Sequence, residues 1–148
     1  MKSFHSVGLL TLLLTQACAQ STPDAMLSAH RWQHRLLLLF APSADHDLLR
    51  HQQQLAQAAA IGYADRDVRI YQITPQGGKQ PDGTAIEAAA ARAFFDRYEV
   101  PKDQFAALLI GKDGGEKLRQ TGELMPTERL FGVIDAMPMR QREMRDDG

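Results

Sequence analysis

Apolar and polar residues follow one another along the chain in patterns that predict its first elements. The uninterrupted apolar run at 36–40 predicts a central strand that is buried on both faces. Leucines and alanines at helical spacing over 45–61 predict a helix that ends at Gly62, and the alternation at 68–73 predicts a second strand. The stretch 75–83 is rich in glycine and proline, so we expect a loop there.

The second half of the chain continues the alternation of helices and strands. Thr84 and Glu87 have the spacing of a capping box, which predicts a helix that begins there and runs to about Tyr98. The pair Asp113-Gly114 favours a tight turn between two antiparallel strands. These strands are predicted at 105–110 and 116–120, and a last helix is predicted from Pro126 to its stop at Pro138.

The resulting order, β-α-β-α-β-β-α, is that of an α/β fold. Two parallel crossover units followed by a hairpin and a covering helix predict a four-stranded mixed sheet with helices on both faces. This is the thioredoxin-like arrangement. We expect the domain to span 32–145, after a flexible lead-in at 20–31 and before a short tail at 146–148.

The first 19 residues have the pattern of a secretory signal peptide. A lysine precedes an apolar run at 7–14, which is far shorter than the roughly 20 residues that span a bilayer. Cleavage after Ala17-Cys18-Ala19 would release a soluble periplasmic or secreted domain. The alternative is a membrane-anchored lipoprotein with a lipid anchor at Cys18. Thr15 stands where lipoproteins usually have leucine, so soluble export is favoured.

Charge and cysteine content exclude several classes of function. The 148 residues include 17 basic and 18 acidic ones, so a chain-wide basic surface for nucleic acid is absent. The single cysteine, Cys18, lies in the export signal, which leaves the mature domain without a thiol. Disulfides, Cys-x-x-Cys redox chemistry and cysteine-built zinc clusters are thereby excluded. We therefore predict no cofactor and no thiol oxidoreductase activity.

Three stretches of the chain carry a resemblance to a known family: the strand and break at 36–43, the hairpin at 109–115 and the segment 134–140. Through them, the chain from Trp32 to Arg145 resembles bacterial members of the family catalogued as domain of unknown function 4174. The resemblance implies a thioredoxin-like fold, and similar domains occur in animal secreted matrix proteins with sushi repeats. It implies no substrate and no catalytic residues, because the family has no established activity.

Four charged residues are the candidate binding residues. Lys112 and Asp113 lie in the predicted hairpin turn, where a loop side chain is available for recognition. Asp135 and Arg140 flank a Met-Pro-Met segment, where the pair either locks the basic tail to the sheet or presents a binding surface. The preferred hypothesis is a binding or adaptor module in the cell envelope, with an envelope protein as its partner and no bound metal.

Two other functions stay open on the sequence alone. Ser43, His46 and nearby acids suggest a hydrolytic or metal-dependent enzyme, although a helix cap at Ser43 or Asp45 explains this cluster without catalysis. Thioether sulfurs of the C-terminal methionines suggest a Cu(I) site. These methionines are Met125, Met137, Met139 and Met144. A metal site at His30 and His34 is disfavoured, because no carboxylate accompanies the pair.

Overall fold

Strands and helices alternate in the computed structural model, which describes residues 21–148. The helices are α1 (Pro23–Ser28), α2 (Asp47–Ala58), α3 (Ala60–Asp65), α4 (Ala88–Arg97), α5 (Thr127–Asp135) and α6 (Pro138–Asp146). The strands are β1 (Arg35–Phe40), β2 (Val68–Thr74), β3 (Gly77–Lys79), β4 (Ala85–Ile86), β5 (Ala106–Ile110) and β6 (Glu116–Thr121). Within this range no helix combines the length and the apolar character that a membrane crossing needs. The predicted signal segment and Cys18 lie outside the described residues.

The strands form one mixed sheet in the order β4-β3-β2-β1-β5-β6. β1 pairs in parallel with β2, and every other neighbouring pair is antiparallel. Every residue of β1 is buried, which confirms the central strand that the apolar run predicts. Only a strand with neighbours on both sides and helices on both faces can bury such a run completely.

Each face of the sheet carries its own hydrophobic core. Because successive side chains of a strand point to opposite faces, Leu36, Leu38 and Phe40 pack on one side and Leu37 and Leu39 on the other. The first side is covered by α1 and α4, and the second by α2, α3 and α5. Complete burial of one such side chain contributes about 1.5–3 kcal/mol to folding. Both cores therefore depend on β1, and the prediction of helices on both faces is confirmed.

The sheet has six strands where the sequence pattern predicts four. Residues 75–83 are not a plain loop, because Gly77–Lys79 forms β3 and pairs with the end of β2. Gly78 permits this pairing, since a Cβ atom there would lie 2.2 Å from the carbonyl oxygen of Gln72. The predicted capping box at Thr84 and Glu87 is also wrong. The intervening residues pair with β3 as β4, and α4 begins only at Ala88.

The lead-in differs from the flexible segment that the sequence pattern predicts. Pro23–Ser28 forms α1, which begins where the Thr22 side chain accepts a hydrogen bond from the backbone N–H of Ala25 at 3.2 Å. Met26 is 8% exposed and belongs to the core on the α4 side of the sheet. This apolar anchor fixes a helix that is too short to be stable by itself.

Three further features of the fold differ from the prediction: the direction of β5, the helix predicted over 45–61 and the role of Pro138. β5 runs antiparallel to β1, with Ala106 opposite Phe40, because the chain after α4 returns to the carboxyl end of β1 before it enters the sheet. The long helix predicted over 45–61 is divided into α2 and α3, and Gly62 lies inside α3. Pro138 does not only end a helix: it is the first residue of α6, where a proline costs no hydrogen bond.

Candidate functional site

A groove lies between the β5–β6 hairpin and the helices α5 and α6; we call it the hairpin groove. Its volume is about 430 Å³, which is within the range of small-ligand pockets. The residues that line it are Arg35, Gly111, Lys112, Asp113, Lys117, Val133, Ala136, Met137, Pro138, Met139 and Arg142. Four of these are cationic and one is acidic. The side chains contributed by α5 and by the start of α6 are mostly apolar, so the groove combines a charged wall with an apolar wall.

Two buried cations form one wall of the hairpin groove. Arg35 is fully buried, and its guanidinium donates to both carboxylate oxygens of Glu143 at 3.2 Å and to the Arg66 carbonyl at 2.9 Å. Lys112 is 9% exposed and donates to Glu143 at 2.7 Å and to Asp67 at 2.8 Å. Glu143 of α6 is thus shared by these two cations, with Arg140 Nη1 also 3.7 Å from its carboxylate, and this ties α6 to the sheet.

The pKa of the Glu143 carboxyl reflects this position. Burial alone would disfavour the charged form, but the hydrogen bonds from Lys112 and Arg35 outweigh it and hold the pKa below its usual value. The folded network therefore stabilises the charged form of this carboxylate. Arg35 Nε is buried without a hydrogen-bond partner among the described residues, so the wall retains one unsatisfied donor.

Behind this wall, the two candidate residues Asp135 and Arg140 take part in a second ion-pair cluster. Asp135 accepts two hydrogen bonds from Arg66, at 2.9 and 2.8 Å, and these hold its pKa below the usual value. Arg140 is 5% exposed and donates to the carbonyl of Asp65 at 2.9 Å and to its carboxylate at 2.5 Å. Arg140 Nε lies 3.5 Å from Asp135 Oδ1. Arg140 therefore ties α6 to the end of α3 mainly through Asp65, and Asp135 is held by Arg66.

The other two candidates, Lys112 and Asp113, line the hairpin groove itself. The predicted hairpin is confirmed: Gly111 and Gly115 pair across it at 2.8 Å, and Gly114 adopts φ +86°, which favours glycine. Asp113 accepts hydrogen bonds from the Gly115 N–H at 2.9 Å and from Lys117 at 2.8 Å. Asp113 thus shapes the turn, and the Lys112 ammonium lies inward against its acidic partners and does not project from the loop.

Trp32 lies beside the base of the same hairpin. Its side chain is 62% exposed, and its backbone N–H donates to the carbonyl of Lys112 at 2.7 Å. Its φ of +67° is in the left-handed region, which bulky side chains rarely adopt. An exposed indole held in this conformation is unusual, and it places an aromatic surface next to the hairpin.

The loop that follows β1 does not assemble a nucleophile and a base. Ser43 donates its hydroxyl hydrogen to Asp45 at 2.6 Å, and in residues 21–148 no hydrogen bond joins it to the His46 ring. The His46 ring lies parallel to that of Phe105, with centroids 6.3 Å apart, and its Nδ1 is buried without a partner. A serine needs a base within hydrogen-bond reach, so this arrangement does not favour the hydrolase hypothesis. The helix begins at Asp47, and neither Ser43 nor Asp45 caps it.

The C-terminal methionines are not gathered at one point. Met125 is fully buried in the core, and Met144 is 40% exposed. Met137 and Met139 both line the hairpin groove, but four cationic side chains line it too. Three of these cations, Arg35, Lys112 and Lys117, are paired with carboxylates, so Arg142 supplies the unbalanced positive charge that disfavours a bound cation such as Cu(I).

His30 and His34 make contact with each other and with a buried tyrosine. Their Nδ1 atoms are 3.2 Å apart, and His30 Nε2 is 3.0 Å from the hydroxyl of Tyr71. Burial, followed by the neighbouring His34, lowers the pKa of His30. Across the described part of the chain, no three histidine, cysteine or acidic side chains are grouped as metal ligands. The contact of His30 with Tyr71 links the segment after α1 to β2.

The chain is similar to segments of larger animal proteins. It is 26% identical over 140 residues to coiled-coil domain-containing protein 80 of Danio rerio, and the match covers 82% of this chain and 16% of that protein. It is 28% identical over 126 residues to the human sushi repeat-containing protein SRPX, and this match covers 83% of this chain and 27% of that protein. The chain thus spans only a small part of the length of these relatives.

Solved structures share the architecture at low sequence identity. The reduced 2-Cys peroxiredoxin of Plasmodium vivax is similar with a TM-score of 0.59 and 16% identity, over 80% of this chain and 84% of that one. Prx1a of Plasmodium yoelii is similar with a TM-score of 0.57 and 18% identity, over 80% of each chain. These neighbours confirm the thioredoxin-like fold.

Several residues of the site were not among the sequence candidates. Arg35, Arg66 and Glu143 organise the ion-pair network. The only local signal for them in the sequence is the charge of Arg35, which directly precedes an uninterrupted apolar strand.

The family resemblance is confirmed, because the model for a domain of unknown function, DUF4174, matches residues 26–143. That range includes the sheet, the hairpin groove and Glu143 at its far end. The chain belongs to the DUF4174 family.

Proposed function

We propose that this chain is an exported binding module without thiol chemistry, and that its hairpin groove holds an acidic segment of an envelope protein. The observation that carries the proposal is the composition of the groove. At its exposed rim, Arg142 offers a guanidinium and Lys117 an ammonium that is shared with Asp113, and Met137 and Met139 offer flexible apolar surface inside it. Methionine surfaces adapt to varied apolar side chains, and exposed cations attract an acidic partner.

Two further observations support the proposal. The pattern of residues 1–19 is that of an export signal, and the chain from residue 20 onward contains no cysteine. Dithiol exchange and peroxide reduction both require a thiolate, so the thioredoxin-like scaffold serves binding in this hypothesis. The network around Glu143 keeps α6 in place and so preserves the groove without ligand, which lowers the entropic cost of binding.

The groove is tested with a fluorescent peptide of aspartate, glutamate and leucine, whose binding is followed by anisotropy. We expect the double variant K117S/R142S to weaken binding roughly tenfold, because each exposed charge contributes up to about 1 kcal/mol. The matched control is K102S, which removes an exposed lysine outside the groove. Binding should also weaken as salt is added. Equal affinity in both variants, or no binding by the wild-type domain, would reject the proposal.

The partner and the location are tested in cells. One variant carries a photo-crosslinking residue in place of Met139 in the groove, and a control variant carries it in place of Lys102. We expect a defined envelope-protein adduct from position 139 alone, with an acidic segment at the crosslinked site.

The intact mass of the purified protein distinguishes the two forms of export. A mature chain that begins at Gln20 indicates soluble export, and an acylated Cys18 at the first position indicates a lipoprotein.

A further inference from the structure

A second concave surface lies on the sheet edge opposite to the hairpin groove. It consists of two adjoining cavities of about 490 and 610 Å³ between the helices α2 and α3 and the β2–β3 hairpin. Gln53, Gln72 and Lys79 line both cavities, so the two form one continuous trough. On this face the helices cover β1 and leave the outer strands accessible. We call this surface the glutamine trough.

Five glutamine side chains line the trough: Gln53, Gln57, Gln72, Gln76 and Gln80. Within residues 21–148, none of their side-chain amides forms a hydrogen bond to another protein group. Gln52, one position from the trough, shows the contrast, since its amide forms two bonds to the backbone of Met125 at 3.0 and 2.8 Å. The lining amides therefore present both donors and acceptors to whatever enters the trough.

A buried hydroxyl in the wall of the trough also lacks a partner. Tyr63 is 5% exposed and lines the larger cavity, and its hydroxyl has no hydrogen bond in the described part of the chain. Burial raises its pKa to about 12, so the group stays protonated and remains a donor. Buried polar groups are nearly always paired, so this hydroxyl beside the trough is free to bond to an ordered water or to a ligand group that reaches it.

Charge narrows the class of ligand. Arg69 and Lys79 are the charged side chains among the lining residues, and no carboxylate lines either cavity. A metal ion would find no anionic ligand here. The lining is otherwise made of amides, hydroxyls, backbone of the β3 glycines and small apolar side chains. The two cations disfavour a cationic ligand, and the five amides suit a ligand that is rich in paired hydrogen-bond donors and acceptors.

We propose that the glutamine trough binds a glycan strand, and neutral sugars are the probe because they test the amides without an ionic contribution from Arg69 and Lys79. An amide can donate to one sugar hydroxyl and accept from the next, and five amides along an elongated trough repeat this opportunity over several sugar units. A linear polymer uses the length of the trough better than a small molecule does. This site is separate from the hairpin groove and does not depend on the function proposed for it.

The test uses the full mature domain and three neutral tetrasaccharides: chitotetraose, cellotetraose and maltotetraose. Side-chain amide resonances of glutamine are resolved in nitrogen-proton correlation spectra, so binding is seen at the proposed residues. We expect at least one sugar to shift the five trough amides with a dissociation constant of roughly 1 mM or tighter, and to leave Gln104, an exposed glutamine elsewhere, unchanged. Absence of shifts with all three sugars would overturn the proposal. The proposal would also be overturned if an uncharged alanine-rich octapeptide shifted these amides and none of the sugars did.

Two variants separate binding from folding. Gln72→Ala should weaken sugar binding about three- to tenfold, the value of one hydrogen bond, and the matched Gln104→Ala should leave it unchanged. Tyr63→Phe removes a hydroxyl that has no partner in the protein. We expect it to keep or raise the unfolding temperature and to weaken sugar binding. Full sugar affinity in both trough variants contradicts the assignment of these residues.

Discussion

Replacement of Glu143 by glutamine tests the network that holds α6. The substitution keeps the shape of the side chain and removes its charge, which leaves Arg35 and Lys112 without their shared anion. The two cationic side chains are 0% and 8% exposed, so water cannot replace the lost partner. Loss of one member of a buried ion pair typically costs about 3–5 kcal/mol.

The expected cost lies at the lower end of that range. After the substitution Arg35 still donates to the Arg66 carbonyl at 2.9 Å, and Lys112 still donates to Asp67 at 2.8 Å. The Glu143 side chain itself is 22% exposed, so part of its interaction is screened by solvent. We therefore expect the free energy of unfolding to fall by about 3 kcal/mol.

Urea unfolding at neutral pH, followed by far-ultraviolet circular dichroism, measures this loss. Glu123→Gln is the matched control, because Glu123 is exposed and its carboxylate accepts one hydrogen bond, from the side chain of Gln120. The substitution should change stability by less than about 0.5 kcal/mol. If Glu143→Gln costs less than about 1 kcal/mol, the buried cations do not need this anion and the reasoning fails.

The pH dependence gives a second readout of the same residue. The hydrogen bonds from Lys112 and Arg35 hold the folded pKa of Glu143 below its ordinary value of 4.5. The stability that this carboxylate contributes is therefore complete above about pH 4.5 and is lost as the pH falls through the folded pKa. The wild-type protein should lose this stability on acidification, and the Glu143→Gln variant should lack that part of the decline. Parallel pH profiles for the two proteins would count against the network.

Three other predictions concern the remaining contacts. Burial lowers the pKa of His30 below 6.5, so the stability that its neutral ring contributes is complete above that pH and declines below it. The urea midpoint of the wild-type protein should therefore be higher at about pH 7.5 than at about pH 5.5, and this difference should be smaller in His30→Gln. Gly78→Ala brings a methyl group to 2.2 Å from a backbone oxygen and should cost about 1–3 kcal/mol in thermal unfolding, whereas Gly132→Ala, in open space on α5, should cost nothing. Gln52→Leu leaves the buried N–H and C=O of Met125 unpaired and should cost about 2–3 kcal/mol in urea unfolding; a neutral result would refute this role.

The parts of the fold that the sequence predicted are those with a long and regular pattern. The strand at 36–40 and the hairpin around Gly114 were recognisable because apolar continuity and turn residues act locally. β3 and β4 have three and two residues, which is too short for alternation to be visible. α1 was missed for a similar reason, since its six residues are held by the burial of Met26 and by the helix cap.

The candidate site was predicted in part. Lys112, Asp113, Asp135 and Arg140 all lie in or directly behind the hairpin groove. The partners that fix them could not be found from local spacing: Arg35 and Glu143, for instance, are 108 positions apart. Only the fold brings such residues together, because an ion pair between distant positions leaves no periodic signal in the chain.

The exposed position of Trp32 has an optical consequence. Trp32 is the chain's single tryptophan, and its indole is already largely hydrated in the folded state. Its emission should therefore change little in wavelength when the protein unfolds. The backbone bond to Lys112 instead couples the indole to the base of the hairpin, so its intensity should respond to events at that end of the sheet. The molecule thus carries an intrinsic fluorescent reporter of the hairpin.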